Sequence, residues 1–120
     1  MLTGFETQTE PLTNYERGVL LPEIVKGLKL RVGASRAIRN KQIVAAMRRA
    51  GYEINEARVR KIVNHIRCYG LVGRLIATSK GYYVATSHEE MKQYINSLAG
   101  REGAIRAVRE SMERQLAEWK

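Results

Sequence analysis

The residues of this chain that could do chemistry are cations and amide donors. They are densest in Arg58-Val-Arg-Lys-Ile-Val-Asn-His-Ile-Arg67. Arginine and asparagine can make paired hydrogen bonds to guanine and adenine edges, and lysine supplies a point charge for phosphate. Material for catalysis is scarce by comparison, with two histidines and one cysteine in 120 residues. His65 and Cys68 stand three apart and would offer a metal only two ligands, which is too few. His88 follows a capping serine and reads as a surface residue. Glu89, Glu90, Glu110, Glu113 and Glu118 fall on the polar side of a helical pattern. Gly27 and Gly33 lack phosphate-loop spacing, and no Gly-Lys-Ser/Thr occurs. The sequence is read as that of a non-enzyme with no catalytic residues, no metal and no cofactor.

Charge placement points the same way. The formal net charge is +9. Residues 31–80 hold twelve Lys and Arg against two carboxylates, Glu53 and Glu56. Residues 81–120 hold six against six, and residues 1–30 hold three against four. Concentrating one sign in the middle of the chain creates the field expected for a polyanion partner. At 44% apolar content the chain can fill one core. A lone cysteine excludes an internal disulfide. No apolar run reaches the roughly 18 residues of a membrane span, and the start lacks a signal-peptide pattern. A cytoplasmic, soluble protein without a membrane partner is expected.

Periodicity then gives the elements that must position these donors. Residues 1–12 are polar and aperiodic and read as a flexible tail. Thr13-Asn-Tyr-Glu16 matches a capping box. Tyr15, Val19, Leu20, Ile24, Val25 and Leu28 follow at near-helical spacing. Pro22 must kink or divide that helix, and Gly33 is a plausible stop. Ala37-Ile-Arg39 reads as extended. Asn40 is expected to cap a second helix, Lys41 to about Ala50, with Ile43, Val44 and Met47 inward. After a turn at Gly51, Asn55 caps a third helix that Gly70 closes. At 100° per residue, Val59, Ile62, Val63 and Ile66 share its buried side, with Tyr69 nearby. Ala57, Arg60, Lys61, Asn64 and Cys68 take the opposite side, flanked by Glu56 and Arg67.

The period next changes to that of strands. Residues 74–78 and 82–86 are rich in β-branched and aromatic types around Ser79-Lys-Gly81, a hairpin pattern. Tyr82 and Tyr83 point to opposite faces, so one packs inward. Ser87-His-Glu-Glu90 opens a long helical pattern with a stripe of Met91, Ile95, Leu98, Ile105, Val108, Met112, Leu116 and Trp119. Gly100 and Gly103 leave open a break there. That helix either closes the core on the first helix or pairs with a second subunit as a homodimer.

The order helix, extended segment, helix, turn, helix, hairpin over Ala37 to Thr86 resembles the winged-helix DNA-binding domain. The version whose wing ends in Gly-Tyr, as in the N-terminal domain of biotin-operon repressors, is the nearest pattern. The run Thr13 to Trp119 also looks like small winged-helix proteins of phages and mobile elements. Those carry a motif like Arg58–Arg67 followed by Leu75-Ile-Ala-Thr-Ser-Lys-Gly-Tyr-Tyr83. The resemblance implies a mainly α fold with a small β-hairpin: a winged helix-turn-helix over 13–86 and a C-terminal helical extension over 87–120. It also implies double-stranded DNA as partner, in transcription regulation or replication. The third helix would enter the major groove, with Arg60 and Asn64 on base edges. Asn40, Lys41, Arg58, Lys61 and Arg67 would meet the DNA backbone, and Arg74, Ser79 and Lys80 of the hairpin wing would lie along the backbone or in an adjacent minor groove. The alternative is a protein-interaction module of the same scaffold that binds an acidic partner, such as a host factor; RNA binding is a third.

Overall fold

The computed structural model describes residues 11–119. Most of the tail expected over residues 1–12 lies outside the described residues. Its last member is no tail, because Leu12 is buried in the core. The Thr13–Glu16 capping box forms in both directions. The Glu16 N–H donates to Thr13 Oγ1 (3.1 Å), and the Thr13 N–H donates to Glu16 Oε1 (2.8 Å).

Pro22 divides the first helical stretch. A π-helical turn, Glu16–Leu20, runs into α1, Leu21–Leu28. Proline has no N–H, and its ring collides with the carbonyl four residues back. A widened turn just before it relieves both problems. Leu20, Ile24 and Leu28, at steps of four, are buried on one line, while Tyr15 and Val19 face outward. The helix ends at Leu28 and not at Gly33. Gly33, at φ +90°, instead precedes a 3-10 turn, Ala34–Arg36.

Two helices follow, α2 (Asn40–Arg49) and α3 (Glu56–Tyr69). Ile43, Val44 and Met47 of α2 are buried, and so are Val59, Ile62, Val63 and Ile66 of α3. Gly51 takes φ +93° in the connection, and Gly70 (φ +63°) closes α3 in the left-handed conformation. Tyr69, placed near the buried stripe by the helical wheel, is 72% exposed. As the last helical residue it extends past the core.

The hairpin consists of β1 (Leu75–Thr78) and β2 (Gly81–Val84), antiparallel, with Ile76 opposite Tyr83 and Ala77 opposite Tyr82. Both strands are shorter than their sequence patterns. Arg74 sits at φ +62°, a left-handed conformation costing a non-glycine residue about 1 kcal/mol, so β1 begins only after it. β2 is held on both edges. Ile38 bridges Tyr82 through a reciprocal pair of backbone hydrogen bonds of 3.0 and 2.8 Å. Val32 bridges Val84. The expected extended segment at 37–39 therefore meets the hairpin as an isolated bridge at Ile38 and forms no strand of its own. Gly81 matters less for its φ of +119° than for the space it leaves. A Cβ there would collide with the Ile38 carbonyl and lie 2.8 Å from the Arg39 nitrogen.

The chain divides into two compact units, one ending at Thr86 and one beginning at Ser87. The second is a single helix, α4 (His88–Glu118), which runs unbroken through Gly100 and Gly103. Ser87 Oγ caps it by accepting from the Glu90 N–H (3.1 Å). The described residues are thus mainly helical, with one two-stranded hairpin. Among the described residues, no helix is long and apolar enough to cross a membrane.

Candidate nucleic-acid interface

The buried stripe of α3 determines what its other side offers. With Val59, Ile62, Val63 and Ile66 locked inward, residues four apart are forced outward: Arg60, Asn64 and Cys68 are all exposed. Lys61 and Arg67 flank them, half-buried. Asn55 fixes the start of this helix through Oδ1, which accepts from the Arg58 N–H (2.9 Å). Arg60 reaches back to Glu56 at 3.5 Å, an exposed pair one turn apart. His65 stacks on Tyr69 with ring centroids 4.6 Å apart.

A second group forms where α2 begins beside the hairpin turn. Arg39 Nε donates to the Ser79 carbonyl (3.3 Å), and the Tyr82 hydroxyl donates to Asn40 Oδ1 (2.8 Å). Arg39, Asn40, Ser79 and Lys80 thereby become neighbours, although forty residues separate the pairs in sequence. Lys80 and Lys41 are exposed. The turn is tightened by the Lys80 N–H donating to Thr78 Oγ1 (3.1 Å).

This corrects the assignment of Asn40. It is the first residue of α2, not its cap; the cap position belongs to Arg39, whose N–H donates to Gln42 Oε1 (2.8 Å). The Asn40 side chain instead serves Tyr82. Of the tyrosine pair, Tyr83 is the one buried, and Tyr82 is half-buried with its hydroxyl tied to α2. Arg39 went unrecognised as a site residue because it lies at the end of the extended segment. The available signal was a cation directly before a helix start.

Arg58 is the clearest departure. It was expected at the DNA backbone, but only 11% of its side chain is exposed. Its Nε donates to Glu16 Oε2 (2.6 Å), and its Nη2 donates to Glu16 Oε1 and to the Pro11 carbonyl (3.0 Å). The guanidinium holds the Glu16 carboxyl below the ordinary glutamate range against the opposing effect of burial, and the Thr13 N–H assists. Arg58 therefore fastens α3 to the start of the first helical stretch and is not offered to phosphate. The sequence showed Glu16 only as half of a capping box, with no sign that its other lone pairs had a partner 42 residues away.

Arg74 is exposed at the base of β1. Among the described residues, Lys41, Arg49, Arg74 and Lys80 have no carboxylate partner. The basic block of the sequence is therefore largely uncompensated at the surface. Among the described residues, no group of three or more His, Cys, Asp or Glu is placed to hold a metal. Cys68 is a free, exposed thiol. Comparison with known proteins returns no match: no protein-family model fits the chain, and no curated protein or solved structure matches it.

Proposed function

We propose that the protein binds double-stranded DNA as a winged helix-turn-helix, with α3 in the major groove and the hairpin as the wing. The observation that carries this is the outward side of α3, where Arg60 and Asn64 stand one turn apart between Lys61 and Arg67. Such a spacing lets two side chains address neighbouring base pairs from one groove. The coupled α2 start and hairpin turn supply phosphate contacts through Arg39, Lys41, Ser79 and Lys80, and Arg74 adds charge at the wing base. Asn40 contributes through its backbone at the helix start while its side chain positions Tyr82. Use in transcription regulation or replication, of the phage or mobile-element kind, follows only from the sequence resemblance.

The test is a titration of the full chain with duplex DNA across a salt series. A linear fall of log affinity with log salt is expected, with a slope of about 0.9 per phosphate neutralised. Selection from a random duplex pool should then enrich one motif. A chain that fails to bind any duplex near physiological salt, or retains an acidic protein in its place, overturns the proposal.

A further inference from the structure

α4 is 31 residues long, about 46 Å at 1.5 Å per residue, and none of its residues is buried. Ile95, Ile105, Val108, Met112, Leu116 and Trp119 are each more than half exposed. Gly100 and Gly103 lie mid-helix, each costing about 1 kcal/mol relative to alanine. A helix that retains two glycines and shows its apolar stripe to water needs a covering surface. Met112, Leu116 and Trp119, with Arg109, Glu113 and Gln115, line a groove along the stripe.

We infer that the covering surface is α4 of a second copy, packed antiparallel. Charge complementarity favours this partner and orientation: Glu102 and Arg109, each held within α4 by an exposed pair one turn away (Arg106 at 3.4 Å and Glu113 at 2.6 Å), can also answer each other across the two-fold. With Leu98, Ile105 and Met112 as one seam row and Arg101, Val108 and Gln115 as the other, an antiparallel partner sets Ile105 against Val108 of the second copy. The same register brings Ile95 against Leu116 and Glu102 against Arg109. Two-fold symmetry makes each of these contacts twice. Ala104 meets Ser111 on the far side of the seam, small residues that let the helices approach. A parallel pair would instead set Arg101 against itself in the seam and would leave Glu102 and Arg109 facing Ser97 and Ala104. The antiparallel arrangement places Arg101 beside Met112, where its aliphatic stem covers apolar surface and its head reaches water. This inference rests on α4 alone and is independent of DNA binding.

Sedimentation equilibrium of the full chain, without DNA, tests it. A monomer–dimer equilibrium is expected. Glu102→Arg alone and Arg109→Glu alone should each weaken it roughly tenfold, because each sets like charges together at two symmetric places. An equimolar mixture of the two variants should recover association as a heterodimer. In a Cys68→Ser background, a chain carrying Ala104→Cys should crosslink to one carrying Ser111→Cys in preference to its own kind. A chain that stays monomeric, a dimer indifferent to the charge reversals, or like-with-like crosslinks would each overturn the inference.

Discussion

Two arginines two residues apart on α3 each pair with a glutamate, and their fates diverge. Arg58 and Glu16 meet across 42 residues, with 11% and 6% of their side chains exposed. Arg60 and Glu56 meet within one helical turn, with 45% and 39% exposed. Removing water makes the first pair a fastening that cannot be opened cheaply, since either charge left alone in the interior is costly. The second pair remains in solvent and is worth at most about 1 kcal/mol, so Arg60 can exchange Glu56 for another acceptor. The same residue type, two residues further along the helix, is structural in one place and available in the other.

The largest effect should come from breaking the buried pair. Arg58→Ala leaves the Glu16 carboxylate its Thr13 N–H but no countercharge, and removes the bond to the Pro11 carbonyl. A loss of about 3–5 kcal/mol in unfolding free energy by denaturant titration is expected. Arg60→Ala should change stability by less than about 0.5 kcal/mol. Equal losses from the two would erase the distinction drawn between them.

Acid should loosen the buried pair as well. The Glu16 carboxyl is lowered in the folded state, chiefly by the Arg58 guanidinium. The unfolded chain therefore binds the proton more readily, and stability falls as pH drops from the ordinary glutamate range, about 4, through the lower folded value. Above that range the contribution is fully present. Glu16→Gln should flatten this acid limb in unfolding curves taken at several pH values.

For the surface pair the readout moves from stability to binding. Arg60→Ala should cost about 1–3 kcal/mol on the preferred duplex and little on random sequence, thereby relaxing preference at one base position. Lys80→Ala, at the hairpin turn, should weaken every duplex alike and lower the salt slope by about 0.9. Equal losses on both duplexes for Arg60→Ala would reassign it to the phosphates.

Periodic features were legible in the sequence because they are local. The buried stripes of α2 and α3, the caps at Thr13, Asn55 and Ser87, and the left-handed Gly70 all depend on neighbours within a turn. The hairpin was legible for the same reason, but its ends were not, since the strand start depends on the left-handed Arg74. What escaped were contacts between distant segments. Glu16 with Arg58, Asn40 with Tyr82, and the carbonyl of Ile38 against Gly81 each need the third dimension. The site inherits this division. The outward position of Arg60 and Asn64 follows from α3's own period, whereas Arg39 joined the candidate set only once the hairpin turn was placed beside it.

The smallest expected effect bears most directly on the availability of Arg60. Glu56 opens α3, where a carboxylate favours the helix dipole, and it also holds Arg60 at 3.5 Å. Glu56→Gln should therefore cost a few tenths of a kcal/mol in stability by losing the dipole interaction. It frees the Arg60 guanidinium and removes a negative charge from the face proposed to approach DNA, so duplex affinity should rise two- to fivefold, about 0.5–1 kcal/mol. The gain should shrink as salt is raised, because both partners are exposed and screened. It should also vanish in an Arg60→Ala background if release of that side chain is its source. A gain that persists without Arg60 would locate the effect in the general field of α3 and leave its pairing with Glu56 without consequence for binding.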